Sequence, residues 1–593
     1  MKTSIRTILL LFALALSAQV FGQQHFTPYD DLSGIQKSYK PTYEESFPDW
    51  AKMLYVYPVN FNELSGAFQK YSTDNPNEKS AIIRYFKMWS RDVVAYVNES
   101  GEIVIPKEKP VVYEKKNSKN QQAGSKSNWT FLGPKETFWL NESGSETPPS
   151  ACPWQANVYS FDVASTNENI LFAGTETGFV NKTTDKGLNW SPVGIDHVFG
   201  GSVTATVIHP QNPDIVYVAA GNQLHKTSDG GQTWIAMLAA GNTFSADRLR
   251  LDPADPDEII AATPTGVFIS TDAGENWSNP WMHATYDIEI QPGNSNTIFA
   301  LSAVAGKFSV AASYNGGITF NTQSTFPANI SDVSGGLLAT TPDDPSLLLA
   351  VMLSSNGTPL LYKGINTETN TTWSLLATGQ TGNFPMDNGQ GYFDLILEIS
   401  PVDKDILFAG TTTLFKSSNG GQDFHAIGGY SGNFAIHPDI QDMKLLENGE
   451  TWVSTDGGMT LTTDNFTSTS NYASYNNGLV GSDMWGFDQG WNEDIVVGGR
   501  YHNGNTSMAD FYQPKALRMG GAESPTGWVL QGKSRHVAFN DLGNGWILPA
   551  SAEGLPEGRF IFSKYPNMEE YGGRRSNMVF HPLRRNHQVL PLF

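Results

Sequence analysis

The stretch KTSDGGQTW, residues 226–234, decides the fold, because the chain repeats it in altered form at other places. Related nonapeptides end at Trp190, Trp277, Phe320 and Phe424. They share the order Ser or Thr, any residue, Asp or Asn, any residue, Gly, two further residues and then Trp or Phe. Each copy is named a box below. A motif that recurs in this way is either a catalytic device used many times or a structural turn.

The boxes recur at a regular period. The Asp or Asn positions of the first four are 43 or 44 residues apart. The 104 residues between Asn315 and Asn419 leave room for one degraded copy, which ends at Trp373. We place a seventh copy at Asp456, in VSTDGGMTL, 37 residues after Asn419. A period of about 40 to 50 residues with four strands in each unit is typical of a β-propeller.

A second recurring phrase precedes the boxes: VIHPQNPDIVYVAA, RLDPADPDEIIAAT and EISPVDKDILFAGT. Each unit therefore reads as strand, turn, strand, short turn, strand, box and strand. This order predicts an all-β fold, a β-propeller of seven or more blades. GGRYHNGN, GRFIFSKYPNMEE and MVFHPLRRNHQVLPLF indicate up to three more blades, which leaves one ring of about ten blades and two tandem rings both open. The last phrase carries no box, so we expect that it either completes the first blade or marks a truncated chain.

The order of residue types in the box suits a hairpin turn. An Asp or Asn side chain accepts hydrogen bonds from nearby amides, glycine adopts positive φ without strain, and the hydroxyl residue closes the turn. The aromatic residue then buries its ring beneath the hairpin. Two copies carry Asn, which cannot act as an acid or base, so we predict a structural role. The predicted structural residues are Asp185, Gly187, Trp190, Asp229, Gly231, Trp234, Asp272, Gly274, Trp277, Asn315, Gly317, Phe320, Asn419, Gly421, Phe424, Asp456 and Gly458.

The boxes resemble the Asp-box repeats, also named BNR repeats, of sialidases, sortilin-type receptors and exo-acting glycosidases that cleave xyloglucan. The resemblance covers residues 129–593. Sialidase activity is not expected, because residues 129–247 contain no Arg that could pair with a substrate carboxylate. The Arg-Ile-Pro motif that precedes the first box in sialidases is also absent. Arg248 and Arg250 alternate on a predicted strand and are interpreted as paired surface or edge charges.

Charge and the first residues restrict location and partners. The 593 residues carry a formal net charge of -21, which repels the phosphates of nucleic acids and anionic membranes, so nucleic acid is not an expected ligand. Residues 1–22 combine Lys2, Arg6 and the apolar run ILLLFALALSA, the pattern of a signal peptide cleaved after Gly22. No later run is apolar enough to span a membrane. We expect a secreted protein or one on the outer cell surface, and the single Cys152 excludes an internal disulfide.

Residues 23–106 differ from the repeats and read as a helical N-terminal region. Asn60 and Glu63 form a helix-capping pair, and apolar residues recur at three- and four-residue steps along two predicted helices. Residues 107–127 are Lys-rich and read as a linker, after which the Asp-box propeller occupies residues 128–593. The apolar faces are expected at Phe61, Leu64, Phe68 and Tyr71 in the first helix and at Ile82, Phe86, Trp89, Val93 and Tyr96 in the second.

A second resemblance concerns this N-terminal region. NFNELSGAFQKY, IIRYFKMWSRDVV, ESGEIVIP and SNWTFLGP are similar to the leader region of large cell-surface propeller proteins of Bacteroidetes. Such proteins are commonly exported by the type IX secretion route. The resemblance therefore implies secretion machinery as a partner, beside a protein or polysaccharide at the cell surface.

Two stretches outside the boxes hold candidate catalytic and binding residues. A glycoside hydrolase needs two carboxylates flanking a sugar, and Asp483 in GSDMWGFDQGW is a candidate beside Trp485 and Trp491, whose rings can stack on a sugar. His502, in GGRYHNGNT, is a candidate general base. Related propellers often carry Gly-Gly-x-Gln-Asp-Asn-Gly here, and Tyr501 and His502 replace the Gln-Asp pair. The alternative interpretation is that the Trp residues are buried blade aromatics and that the His is a turn residue bonded to the backbone.

No metal site or cofactor is expected. The 11 His residues form no HxH or HExxH pair, and no EF-hand loop or phosphate-binding glycine loop is present. Because folding alone explains the boxes, the sequence favours a secreted or cell-surface recognition module that binds a protein or glycan. The alternative is a glycoside hydrolase, other than a sialidase, with a carboxylate pair in a Trp-lined cleft.

Overall fold

A computed structural model describes N-terminal helices, a ring of sheets and part of the chain that follows. The predicted signal peptide, the predicted linker and the phrases GRFIFSKYPNMEE and MVFHPLRRNHQVLPLF lie outside the described residues, as do Asp483 and Trp491. The described residues are 41–56, 58–76, 78, 80–93, 97–104, 136–139, 151–152, 154–237, 244–327, 332–354, 358–367, 369–379, 381–387, 390–391, 393–482, 484–489, 495–509, 515–518, 526–530, 536–541 and 544–549.

Helices precede the ring, which confirms the predicted helical N-terminal segment. Helix α1 spans Asp49–Lys52 and continues as a 3-10 turn at Met53–Tyr55, helix α2 spans Phe61–Asp74, and helix α3 spans Ala81–Val93. The Asn60 side-chain oxygen accepts hydrogen bonds from the amides of the second and third residues after it, at 3.0 and 3.1 Å. It thereby satisfies donors that a helix N-terminus leaves without a partner. None of the helices in the described part of the chain has the length and apolar character that crossing a membrane requires.

The apolar faces of the helices meet in one core. The ring centres of Trp50 and Phe68 lie 4.8 Å apart, and those of Phe68 and Phe86 lie 4.5 Å apart. Aromatic contacts therefore join all three helices. Burying each large side chain contributes roughly 1.5–3 kcal/mol. The buried members of this core are Trp50, Ala51, Leu54, Val59, Leu64, Ile82, Ile83, Tyr85, Phe86, Trp89 and Val93.

Seven four-stranded antiparallel sheets follow in chain order and are named blades one to seven. In each blade consecutive strands pair as a meander. Two strands precede the blades, β1 (Glu136–Trp139) and β2 (Ala151–Cys152). Blade one comprises β3 (Val158–Val163), β4 (Leu171–Thr175), β5 (Val180–Thr183) and β6 (Ser191–Val193); blade two comprises β7 (Val203–Ile208), β8 (Val216–Ala220), β9 (Gln223–Thr227) and β10 (Ile235–Met237). Blade three comprises β11 (Arg248–Leu251), β12 (Ile259–Thr263), β13 (Gly266–Ser270) and β14 (Ser278–Trp281); blade four comprises β15 (Thr285–Gln291), β16 (Asn294–Val304), β17 (Lys307–Ser313) and β18 (Asn321–Thr322); blade five comprises β19 (Asp332–Thr340), β20 (Leu347–Ser354), β21 (Pro359–Asn366) and β22 (Thr371–Thr378). Blade six comprises β23 (Ile396–Ile399), β24 (Leu407–Gly410), β25 (Thr413–Ser417) and β26 (His425–Gly429); blade seven comprises β27 (Ile440–Leu445), β28 (Thr451–Thr455), β29 (Gly458–Thr462) and β30 (Tyr472–Ser474).

The first strands of the blades line the centre of a closed ring. Each first strand packs beside the first strand of the next blade, and β27 of blade seven packs beside β3 of blade one. Across this last junction, Asp442 Oδ2 accepts a hydrogen bond from Phe161 N at 3.2 Å. The propeller prediction is confirmed, and because the ring closes after seven blades, the alternative of one ten-bladed ring is wrong.

The second strands are buried on both sides, because neighbouring blades pack against each other. LFAGT in β4 and VYVAA in β8 are buried throughout, so these strands lack the alternation of a half-exposed strand. Phe172 of blade one and Val218 of blade two belong to the same core. The ring is therefore stabilised by a series of cores between blades.

The two rims of the ring carry different turns. Because the strands of a blade alternate in direction, the turns after its first and third strands lie on one rim, named the box face. The turns after its second strand and the links between blades lie on the other rim, named the connection face. On the box face, Gly230 N donates to Asp214 O at 2.9 Å and Ala273 N donates to Asp257 O at 2.8 Å. The second recurring phrase of the sequence thus supplies the turn to which each of these boxes is bonded.

The chain beyond blade seven forms two further sheets. A six-stranded sheet combines strands from before the ring, β1 and β2, with strands from after it, and β1 pairs in parallel with the last of the latter. A three-stranded sheet packs against it. A seven-bladed ring followed by further sheets is therefore the observed arrangement. The later strands are β31 (Met484–Gln489), β32 (Ile495–Arg500), β33 (Gly504–Ala509) and β34 (Lys515–Arg518) in the larger sheet, and β35 (Thr526–Leu530), β36 (His536–Asp541) and β37 (Asn544–Pro549) in the smaller.

Candidate functional site

Each box is a network of short hydrogen bonds. In the box of residues 226–234, the Thr227 hydroxyl donates to Asp229 Oδ1 at 2.8 Å and accepts from Gly231 N at 2.9 Å. Asp229 Oδ1 also accepts from Thr233 N at 2.9 Å. Hydrogen bonds from the side chain and backbone of Thr233 lower the pKa of Asp229 to about 2. The carboxylate is therefore ionised at neutral pH and engaged by its own turn.

Asparagine makes the same bonds as aspartate in the box. Asn315 Oδ1 accepts from Ser313 Oγ at 2.8 Å and from Thr319 N at 3.0 Å. Asn419 Oδ1 makes the two matching bonds, each 2.9 Å long. The Asn315 side-chain amide also donates to Thr319 Oγ1 at 3.0 Å. The turn thus needs one side-chain oxygen and no ionisable group.

The remaining box residues complete the turns. Trp234 Nε1 and Trp277 Nε1 each donate to the carbonyl oxygen of the glycine in their own box, at 3.2 and 3.0 Å. Trp190 Nε1 instead donates to Tyr475 O at 2.8 Å, which links the box of blade one to the chain after blade seven. The box glycines with φ between 77 and 92° are Gly187, Gly231, Gly274, Gly317 and Gly421, and the other box aromatics, Phe320 and Phe424, are buried.

The box of blade seven begins at Thr462 and not around the predicted Asp456. Thr462 Oγ1 donates to Asp464 Oδ1 at 2.9 Å and accepts from Phe466 N at 3.2 Å, the pattern of the other boxes. Phe466 occupies the glycine position with φ of 53°. Because glycine is missing, the sequence motif does not detect this box. Asp456 lies in the turn before β29 and Gly458 begins that strand, so both belong to the connection face. The prediction of a box around Asp456 is wrong because VSTDGGMTL has the residue types of a box but forms the turn between β28 and β29.

His502 and Asp456, which the sequence suggested for unrelated roles, meet in the structure. His502 lies in the turn between β32 and β33 with φ of 60°. Its Nδ1 is 3.1 Å from Asp456 Oδ2, and the two side chains are 9% and 0% exposed. The histidine of the GGRYHNGNT stretch therefore contacts a buried carboxylate of the ring.

Two further aspartates that the sequence did not single out complete a buried group. Asp439 precedes the first strand of blade seven with φ of 66°, and Asp394 precedes the first strand of blade six. One possible ligand atom from each of Asp439, Asp456 and His502 lies within 4.8 Å of the others. Asp394, Asp439, Asp456 and His502 are all buried and are named the acidic cluster.

Burial dominates the electrostatics of the acidic cluster. Asp394 is fully buried, and no donor among the described residues bonds either of its carboxylate oxygens. Burial, with Asp439 and Asp456 nearby, raises the pKa of Asp394 to about 8. Burial also raises the pKa of Asp456 well above its usual range, although the His502 imidazole acts in the opposite direction. The cluster therefore favours the uptake of positive charge, either a proton or a cation.

Neighbouring side chains hold Asp456 and His502 in place. Gln441 Nε2 donates to Asp456 Oδ1, and Asn503 Nδ2 donates to Asp456 O, both at 2.7 Å. The Phe393 ring is stacked on the His502 imidazole, with ring centres 6.2 Å apart and planes 19° apart. These contacts orient the Asp456 carboxylate and the His502 ring.

The turn that carries His502 is anchored to the chain just before blade one. Arg500 Nη1 donates to Gln155 O at 2.9 Å, and Arg500 Nη2 donates to Trp154 O at 3.0 Å. The Arg518 guanidinium lies 4.4 Å from the centre of the Trp154 ring. Asp394 and Asp456 are fully buried, so these acids do not form the open carboxylate pair that glycoside hydrolysis uses.

The described residues show no contact between the acidic cluster and the predicted sugar-binding residues Asp483, Trp485 and Trp491. Asp483 and Trp491 lie outside the described residues, and of Trp485, in β31, only the backbone is described. Their roles as catalytic or stacking residues therefore stay predictions. Phe487 in the same strand is exposed.

The centre of the ring forms a charged channel of about 420 Å³, lined by first strands of all seven blades. Arg250 Nη2 lies 2.6 Å from Glu289 Oε1 and 3.7 Å from Asp287 Oδ1. Arg250 is thus paired, as expected, but it lies in the central channel and not on the outer surface. Lys444 pairs with Asp162 in the same channel. These ion pairs join neighbouring blades, so we interpret the channel as a structural part of the ring. The acidic cluster is the candidate functional site.

Comparisons with known proteins agree with the propeller fold. No protein-family model matches the chain, and no curated protein matches it. The chain is similar to an ancestral GH74 enzyme, with 15% identity and a TM-score of 0.51, over 68% of this chain and 61% of that enzyme. The chain thus spans less than two thirds of the length of that enzyme. At this identity the likeness shows the fold alone.

Two other solved structures are more distant. The GH74 xyloglucanase from Xanthomonas campestris has 12% identity and a TM-score of 0.45, over 67% of this chain and 79% of that one. PorZ, a surface component of the type IX secretion system of Porphyromonas gingivalis, has 9% identity and a TM-score of 0.42, over 69% of this chain and 52% of that one.

Proposed function

We propose that this protein is a secreted or cell-surface recognition module whose connection face binds a protein or glycan partner. The observation that carries the proposal is the exposure of large apolar side chains on the links between blades. Val198 is 83% exposed, Met282 77% and Tyr430 72%. Single exposed apolar residues are ordinary, but these three lie on links of the same face of the ring, where one partner that spans the face could contact them. The Tyr ring can also stack on a sugar.

The links between blades differ in length, whereas the boxes share one hydrogen-bond pattern. The links span residues 194–202, 282–284 and 430–439 at the three positions just named. The box face also exposes apolar residues, including Leu188 and Ile318, but these occupy the same position in two boxes of fixed hydrogen bonding. Loops of variable length on a rigid scaffold are where binding residues concentrate. The connection face is therefore the better candidate for recognition.

The proposal also includes export to the cell surface and membership in the Asp-box family. The signal-peptide pattern of residues 1–22 and the likeness to Bacteroidetes leader regions support export to the surface, with secretion machinery as a further partner. The common hydrogen-bond pattern of the boxes, present at Asp185, Asp229 and Asp272 among others, supports membership in the Asp-box family, including its sortilin-like and xyloglucanase-like members.

Glycoside hydrolysis is the alternative function. The fold of the ancestral GH74 enzyme favours it, but the acids that the structure brings together are buried. A hydrolytic pair would have to include Asp483 or another acid near the GSDMWGFDQGW stretch.

A glycan array combined with a reducing-end release assay tests the proposal. The full chain is applied to plant and microbial polysaccharides, and binding and new reducing ends are measured on the same samples. Binding without release supports recognition. Release that the Asp483→Asn variant abolishes would overturn it in favour of hydrolysis.

A further inference from the structure

We propose that Asp439, Asp456 and His502 bind a divalent metal ion that accepts mixed oxygen and nitrogen ligands, such as Zn²⁺ or Mn²⁺. The three residues come from the link into blade seven, from a turn within blade seven and from the turn after β32. Asp439 ends the link that carries Tyr430, but metal binding by these three residues does not depend on the recognition proposal.

The geometry of the donor atoms fits one ion. His502 Nδ1 and Asp456 Oδ2 are 3.1 Å apart, and one possible ligand atom from each of the three residues lies within 4.8 Å of the others. Ligand atoms bound to one Zn²⁺ at about 2.0–2.2 Å each are about 3–4 Å apart. Small side-chain adjustments therefore suffice to bring all three donors onto an ion.

Asp394 provides an independent indication of a missing cation. It is fully buried, and neither carboxylate oxygen accepts a hydrogen bond from a described donor. The carboxyl groups of Asp439 and Asp456 lie near it. A buried carboxylate without a partner is strongly unfavourable, and a cation held between these acids would compensate for it. The competing explanation is a proton shared by Asp394 and Asp439.

The surroundings of the donors resemble the outer contacts of a metal site. Gln441 Nε2 holds Asp456 Oδ1 at 2.7 Å, and Gln390 Nε2 lies 3.4 Å from Asp439 Oδ1. Hydrogen bonds of this kind orient ligands and tune affinity. The second oxygen of Asp456 is left facing the imidazole.

The ligand types indicate which ion binds. Two carboxylates with an imidazole suit Zn²⁺ and Mn²⁺, whereas Ca²⁺ and Mg²⁺ prefer oxygen ligands alone. The ligands were not apparent in the sequence, since they lie 17 and 46 residues apart. A bound ion would tie the six-stranded sheet, through His502, to blade seven.

Metal content and metal titration of the full chain test this inference. The protein is analysed by inductively coupled plasma mass spectrometry as purified, dialysed against a chelator, and titrated with Zn²⁺, Mn²⁺ and Ca²⁺ by calorimetry. We expect one Zn²⁺ or Mn²⁺ per chain, a rise in Tm on binding and much weaker binding of Ca²⁺. The variants His502→Gln and Asp456→Asn should lose stoichiometric binding. Gln441→Leu, which keeps every ligand, should weaken binding by about 10- to 100-fold.

The control variant is Asp464→Asn, which removes an acid at a box position where asparagine occurs naturally in other blades, and it should bind as the wild type does. Circular dichroism verifies that each variant is folded, and the wild-type titration decides the matter if a ligand variant does not fold. A folded wild-type chain that takes up no Zn²⁺ or Mn²⁺ would overturn the site. Equal uptake by folded His502→Gln would also overturn the site.

Discussion

Asp442 Oδ2 accepts a hydrogen bond from the backbone amide of Phe161, and this contact joins blade seven to blade one across 281 positions of sequence. Asp162 and Asp287 make the same type of bond to the backbone of the next blade, each 2.8 Å long. Three junctions of the ring thus use an aspartate on a first strand as an inter-blade acceptor. Among the described strands, none is exchanged between the first and last blades of the ring.

Removing the Asp442 side chain should weaken this closure. Asp442→Ala leaves the buried amide of Phe161 without its acceptor, and we expect the free energy of unfolding to fall by about 1–3 kcal/mol. Asp442→Asn retains one side-chain oxygen and should lose less. Denaturant unfolding measures the loss, and hydrogen exchange at the Phe161 amide locates it. An exchange rate unchanged in Asp442→Ala would show that closure does not depend on this bond.

The boxes should tolerate asparagine but not alanine. Asp229→Asn keeps the oxygen that accepts from Thr227 and Thr233, and its amide can donate to the Thr233 hydroxyl as Asn315 does to its own partner. Asp229→Ala removes these bonds and should lower the free energy of unfolding by about 1–3 kcal/mol. Denaturant unfolding of both variants decides whether the box is stabilised by the hydrogen bonds of Asp229 or by its negative charge. Equal destabilisation by the two substitutions would favour charge.

Glu398 in the central channel should make stability fall as pH rises. Burial and then Glu289 raise the pKa of Glu398 to about 8, Asp442 and Asp287 add to the rise, and Arg250 opposes it. The unfolded value is 4.5, so the folded chain holds the extra proton between these two values. Its contribution to stability is therefore present below the unfolded pKa and is lost as pH rises through the window to about 8.

Glu398→Gln stays neutral and should reduce this loss. Between pH 5 and 8 the variant should lose less free energy of unfolding than the wild type, by on the order of 1–2 kcal/mol because the channel is partly open to water. Glu447, which is exposed and does not line the channel, provides a matched control in Glu447→Gln. Parallel profiles for wild type and Glu398→Gln would contradict the assignment.

The fold could be predicted from the sequence because its signal is local. Within one box, residues four apart, such as Asp229 and Thr233, satisfy each other, so the letters of the box record the turn directly. Because the prediction depends on residue types alone, it places the box of blade seven at the wrong turn. There, Phe466 adopts the left-handed conformation that glycine usually provides, and TDGG at Asp456 imitates a box in another turn.

The acidic cluster could not be predicted because its signal is not local. Asp394, Asp439, Asp456 and His502 stand on four separate turns and links, and only closure of the ring and docking of the six-stranded sheet bring them together. The sequence indicates His502 because it departs from a segment common in related propellers. It also indicates Asp456, but as a residue of a box, since no spacing in the chain connects the two.

The central claim, recognition through the connection face, is tested most directly by comparing the two faces on one ligand. The triple variant Val198→Ser, Met282→Ser and Tyr430→Ser removes exposed apolar side chains from the links, and Leu188→Ser with Ile318→Ser does so on the box face. Calorimetry with the bound glycan or protein should show a Kd at least about tenfold weaker, or about 1.4 kcal/mol, for the triple variant. The box-face variant should bind as the wild type does. Unchanged binding by the triple variant, with weakened binding by the box-face variant, would contradict the account.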